Sequence, residues 1–275
     1  MRKQFTLVAL LAVVSALPLT AQAHRGWILP AETVLSKENA WVTFDAGISN
    51  GIFHADHAAM RPNGISVTAP DGSATEVQNA HVGKLRSTFD VQLTQKGTYR
   101  IYTASNGLSA RWETEEGERR MWPARGAAFT QESFDKEVPK KAQNLQITQN
   151  SRRLETFVTS GTPSKEVLKT PGVGLELLPI THPNYLYAGE AAKFQFLIDG
   201  KPAVGVKIEV IAGGMRYRNS QNEMTLETDK NGNVSIVWPH AGVYWLSASY
   251  RDDKAKKPAT SRSGSYVATF EVLPQ

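Results

Sequence analysis

The chain has 275 residues, 41% of them hydrophobic and 21% charged, a balance that belongs to folded globular proteins and excludes a disordered chain. Its formal charge of +5 spreads 31 basic against 26 acidic residues, with no block dense enough to neutralise a phosphate backbone, so nucleic acid is not an expected partner. Cysteine is absent, which removes thiolate nucleophiles, thiolate zinc sites, redox pairs and disulfides together.

The first 23 residues read as a secretory signal peptide. Arg2 and Lys3 form a basic start, the stretch from Phe5 to Leu19 is apolar, and Ala21-Gln22-Ala23 is an A-x-A cleavage site. The apolar run is shorter than the ~20 residues that span a bilayer, so no membrane anchor is expected after cleavage. Cleavage after Ala23 predicts a periplasmic protein of about 250 residues whose first residue is His24. Loss of Arg2 and Lys3 leaves 29 basic residues against 26 acidic ones, a charge of +3.

Strand signals dominate the rest. Short runs of β-branched and aromatic residues occupy 41–47, 65–73, 87–93 and 97–104 in the first half. In the second half they occupy 193–202, 206–212, 233–239, 243–250 and 266–273, punctuated by Gly, Pro, Asn and Asp. The fold class predicted is all-β: two antiparallel β-sandwich, Ig-like domains after a cleaved signal peptide, at 24–162 and 174–275. Pro163, Pro171, Gly172 and Gly174 mark the boundary. Gly97-Thr98-Tyr99-Arg100-Ile101 and Gly242-Val243-Tyr244-Trp245-Leu246 share one pattern, which predicts a tyrosine at a sheet corner in each half. Helical periodicity is nearly absent; 131–145 holds a turn or two of helix before Pro139. The charged stretch 110–126 reads as an exposed hairpin anchored by Trp112 and Trp122.

Chemistry points to the six histidines. An N-terminal His24 offers its α-amine and a ring nitrogen to one metal ion, and the amine's ordinary pKa near 8 leaves part of it deprotonated at neutral pH. In "GIFHADHAAM" (51–60), His54 and His57 flank Asp56, with Met60 close behind. Asn50-Gly51 and Arg61-Pro62-Asn63-Gly64 make this a loop, where the two rings can converge. Nitrogen-rich sets suit Cu(II) or Ni(II). The predicted metal ligands are therefore His24, His54 and His57, with Asp56 as ligand or orienting group. His81 and His240 are candidate further ligands, Met60 is a candidate for copper(I), and His182 before Pro183 reads as a turn residue. No G-x-S-x-G, H-E-x-x-H, P-loop or dinucleotide fingerprint is present, so no enzyme is expected.

The segments "GLELLPITHPNYLYAGEAAKFQFLIDGKPAVGVKIEV" and "TDKNGNVSIVWPHAGVYWLSASY", with His24-Arg25-Gly26-Trp27 at the start, resemble an exported domain-of-unknown-function family linked to nickel or cobalt uptake. The resemblance covers His24 to Pro30 and about residues 174–273. It implies an Ig- or transthyretin-like C-terminal module. It also implies a periplasmic protein that supplies or buffers Ni(II), Co(II) or Cu(II) for a metal importer or outer-membrane receptor component. Two competing readings stand beside it: a protein- or glycan-binding sandwich with incidental histidines, and a histidine-brace copper oxidase.

Overall fold

The computed structural model describes residues 24–124 and 127–275; the leader 1–23 lies outside them. Alternating burial builds its sheets. In Ala40–Ser49 and Arg86–Leu93 every second side chain turns inward along most of the strand. These two strands form the centre of a five-stranded antiparallel sheet edged by Arg25–Pro30 and Gln78–Val82, with Ala58–Ala59 alongside. Ala191–Ile198, flanked by Leu175–Pro179 and Asn233–Val237, makes a four-stranded sheet in the same way.

A third sheet of ten strands joins the two halves. Its path runs Met224–Glu227, Lys207–Ala212, Gly242–Asp252, Ser261–Val272, Gln143–Ser160, Gly97–Glu113, Ser66–Thr68 and Ala74–Thr75. Gln143–Ser160 lies between the halves, antiparallel to Gly97–Glu113 and parallel to Ser261–Val272. The two sandwiches therefore share one sheet, each using a different face of it. Leu154 and Val158 point into the core under the five-stranded sheet, with Val42, Phe44, Phe89 and Ile101. Phe157 points the other way, into the core that contains Phe194, Phe196, Tyr266 and Phe270. A strand covered on both faces is buried at consecutive positions, and Leu154 to Ser160 are buried without interruption.

The segment expected as the domain boundary crosses between the two cores. A 3-10 turn at Glu166–Leu168 buries Val167 and Leu168 in the C-terminal core. The α-helix is Gln131–Glu137, where the Thr130 side chain accepts the Ser133 N–H at 3.1 Å as an N-cap. The charged hairpin forms as expected: Arg119–Trp122 pairs with the end of Gly97–Glu113, and buried Trp122 packs with Phe134.

Both sandwiches carry a tyrosine corner. Tyr99 is buried and its hydroxyl accepts the Gln95 N–H at 2.7 Å. Tyr244 is buried and its hydroxyl donates to the His240 carbonyl at 2.8 Å. Each tyrosine thus grips the backbone four residues upstream, closing the turn into its strand.

His182 is a turn residue, and it is also buried in the seam between the halves. Its Nδ1 accepts the Asn184 N–H at 3.1 Å, which places its proton on Nε2. That nitrogen lies 3.1 Å from Thr98 Oγ1 and 3.2 Å from the Ser164 carbonyl. Thr98 bonds Thr159 at 2.9 Å, and Thr159 donates to Asn184 Oδ1 at 2.8 Å. Burial holds the His182 pKa below its ordinary 6.5; the Ser164 carbonyl opposes that shift and Lys165 adds to it. Because the folded value is depressed, the unfolded chain takes up the proton first. Stability is therefore complete above pH 6.5 and falls as pH drops below it. Urea midpoints measured between pH 7.5 and about pH 5.5 are expected to decline, and His182→Gln is expected to flatten that slope.

Candidate functional site

The first strand and the 50–57 loop come together on the outer face of the C-terminal strands. Trp27 and Ile52 pack with Ile211 and Trp245 in a small cluster of their own, edged by Leu29, Phe53 and Met215. Buried Trp27 donates its indole N–H to Ser49 Oγ at 2.7 Å, and Ser49 donates to the Gly51 carbonyl at 2.6 Å. From the other half, Trp245 donates to the Gly26 carbonyl at 3.0 Å. Arg25 lies 5.5 Å over the Trp245 ring and 3.7 Å from Glu209. His24 thus directly precedes a strand held from both halves.

The loop itself is tightly folded. His54 N–H bonds the Gly51 carbonyl at 3.2 Å, and Phe53 takes a left-handed φ of 55°, a conformation costly for a bulky residue. Phe53 is held there edge-on to Trp27, ring centroids 6.0 Å apart. The Asp56 carboxylate accepts the Asn50 N–H at 2.8 Å and the Gly51 N–H at 3.3 Å. Burial pushes its pKa up, but these amides, His54 nearby and the Asn50 side chain outweigh it and hold the group below the usual carboxylate range.

This fold delivers His57 onto His24. The two imidazoles stack with centroids 3.6 Å apart and planes 10° from parallel. His54 is turned elsewhere: its Nε2 lies 3.0 Å from Arg216 Nη1. A guanidinium only donates, so His54 Nε2 is the acceptor and carries no proton in that bond.

Of the four ligands expected from sequence, the structure brings His24 and His57 together. It commits Asp56 to the loop backbone and His54 to Arg216. Among the described residues no group of three or more His, Cys, Asp or Glu side chains is gathered at metal-holding spacing. Imidazole lone pairs lie in the ring plane, so parallel rings do not aim at a common point; ligation by both requires them to leave the stack. Met60 packs against the core under the five-stranded sheet. His81 is exposed on the edge strand and His240 is exposed in the turn before Tyr244. Sequence reasoning missed Arg216 as the partner of His54. The only hint lay in "GGMRYRN" (213–219), which reads as a β-bulge with solvated arginines before it reads as an anion contact. There the chain forms a 3-10 turn at Met215–Tyr217, and Arg218 caps the Ala212 and Gly213 carbonyls at 2.7 and 2.6 Å.

Fold and site together define an all-β protein of two sandwiches on a shared sheet, with histidines and arginines gathered where the first strand meets the C-terminal half. The chain belongs to the family described as domain of unknown function DUF4198, whose model matches residues 21–252. No curated protein matches it. Among solved structures it is similar to the human OSCAR ligand-binding domain, at 10% identity and a TM-score of 0.21, covering 91% of this chain and 100% of that one. The D0-D1 domain of intimin gives 10% identity and 0.21, covering 89% and 97%. A DUF3823 family protein from Bacteroides uniformis gives 11% identity and 0.25, covering 90% and 100%. Values this low say nothing about activity. No helix among the described residues is long and apolar enough to cross a membrane.

Proposed function

We propose that the protein is an exported, periplasmic metal carrier or buffer that binds Ni(II), Co(II) or Cu(II) for an uptake system. The observation that supports this is the contact between His24 and His57, one at the predicted new N-terminus and the other 33 positions along the chain. In this reading export frees the His24 amine, and amine and ring chelate the ion. The His57 ring, already in contact, turns out of the stack to add a third nitrogen. Asp56 acts from behind, fixing the loop that presents His57. The resemblance noted from the sequence supports nickel or cobalt as cargo; the donor set by itself favours copper.

The test is metal titration of protein beginning at His24, beside protein with one extra alanine before it and beside His57→Ala. Each change is expected to weaken binding by at least about 10–100-fold, the loss that even outer-shell partners produce. Equal affinity in all three overturns the proposal.

A further inference from the structure

We infer that the open outer face of the five-stranded sheet binds a neutral saccharide chain, with Trp41 as its stacking platform. This is a second site, apart from the histidine loop, and it does not rest on the metal-carrier reading. Four of the six tryptophans are buried and Trp112 is half-buried, whereas Trp41 is 47% exposed. Alternation along Ala40–Ser49 turns it outward with Thr43, Asp45 and Gly47, while Val42, Phe44 and Ala46 enter the core. At Gly47 the same face is covered by the Trp27 ring. Six residues back, about 20 Å along the strand, the face lies open at Trp41.

Around that ring the sheet sets out polar groups in register. Gln92 is paired with Trp41, and Asp90 with Thr43 one rung on. Rungs on one face are about 7 Å apart and neighbouring strands about 4.8 Å, so ring, amide and carboxylate lie within the span of a short saccharide. Asp90 is fixed from both sides: Thr43 donates to Oδ1 at 2.7 Å and the Asn79 amide to Oδ2 at 2.8 Å. Asn79 reaches it because the pairing of Gln78–Val82 with Arg86–Leu93 slips between Gln78 and His81, where Asn79 takes a left-handed φ of 50°. A bulge that re-aims a side chain is a recurrent device beside functional sites. Each Asp90 oxygen keeps a lone pair for a further donor. A pyranose has an apolar face of C–H groups and a rim of hydroxyls that donate and accept. The sheet offers the complement, a flat aromatic ring edged by amides, a hydroxyl and a carboxylate. A protein partner matches less well, because interface cores are depleted of charge. Charge also sets the sign of the ligand. Asp45 and Asp90 face outward with Arg86, 3.4 Å from Asp45, to offset them, so an anionic glycan is repelled and a neutral one is not.

The experiment is calorimetric titration of the mature protein, in buffer containing EDTA, with cellotetraose, maltotetraose, chitotetraose and tetragalacturonate. At least one of the three neutral tetramers is expected to bind, at least about tenfold more tightly than the anionic one. Trp41→Ala is expected to weaken that binding by at least about tenfold, and Gln92→Leu by about three- to tenfold. Trp41→Tyr keeps an aromatic platform and is expected to stay within about threefold of wild type, which separates loss of the ring from loss of the fold. Binding of none of the neutral tetramers, equal binding of tetragalacturonate, or a Trp41→Ala variant that binds as well as wild type overturns the inference. Since EDTA removes free metal, each of these outcomes leaves the carrier reading standing.

Discussion

Glu155→Ala is expected to cost about 3–5 kcal/mol, the usual penalty for removing one partner from a buried ion cluster. Glu155 is 1% exposed and sits on the strand shared by the two sandwiches. Its carboxylate accepts the Tyr266 hydroxyl at 2.7 Å and faces Arg153 at 3.4 Å and Arg100 at 3.6 Å. The Arg100 contact is too long for a hydrogen bond, and Arg100 Nε has no other bonding partner, so charge alone links them. Truncation leaves two poorly solvated guanidinium groups without their shared counter-charge, and Arg153 and a buried phenol without their acceptor. The arginines cannot swing to water easily, since Arg100 lies over Phe157 at 5.6 Å and Arg153 over Tyr102 at 5.3 Å. Urea unfolding at pH 7 measures the loss, and a thermal scan should fall by roughly 2–4 °C per kcal/mol. A loss below about 1 kcal/mol shows that the arginines find other partners.

The neighbouring acid makes the contrast. Glu176 is equally buried, but burial raises its pKa against the pull of Arg153 and the Gly172 N–H, and its Oε1 bonds nothing. Its charged form gains less from its surroundings, so Glu176→Gln is expected to stay within about 1 kcal/mol of wild type. The two side chains are indistinguishable in the sequence; only the sheet tells which of them balances the arginines.

That difference marks where sequence reading reaches its limit. Ala40–Ser49, Arg86–Leu93 and Ala191–Ile198 were legible because one face of each meets a core and the other meets solvent, which writes alternation into the residues. Tyr99 and Tyr244 were legible because the corner they make is local. Gln143–Ser160 was not. Its first half is polar, and its second half is buried on both faces, so no alternation appears, and its pairing with Ser261–Val272 spans more than a hundred residues. The site divides the same way. The His54-x-x-His57 loop announces itself locally, and the A-x-A site announces His24. The Arg216–His54 bond joins positions 162 residues apart and leaves no pattern.

Trp27→Ala should lose a further 3–5 kcal/mol, about the cost of deleting a buried tryptophan, and should abolish the His24–His57 contact with it. Trp27 is 1% exposed and lies directly across the strand pair from Gly47. A Cβ at Gly47 would fall 2.7 Å from the indole Cζ2, so that position is glycine because the ring occupies its side-chain space. The indole then does three things at once: it packs on Trp245 and Ile211, holds Phe53 in its left-handed conformation, and starts the relay through Ser49 to Gly51. Trp27→Phe separates these roles in part, because it keeps an aromatic ring in the pocket and loses the N–H together with part of the indole's volume. It should cost about 1–3 kcal/mol and keep the proposed metal site. Gly47→Val approaches from the opposite side, displacing the indole by overpacking at about 1–3 kcal/mol. If the loop's geometry is what makes His57 available, metal affinity must track the indole's position and not global stability. Gly47→Val should then bind more weakly than Trp27→Phe even where their urea midpoints agree. Equal affinities in those two variants would mean that His57 reaches the metal without the scaffold beneath it.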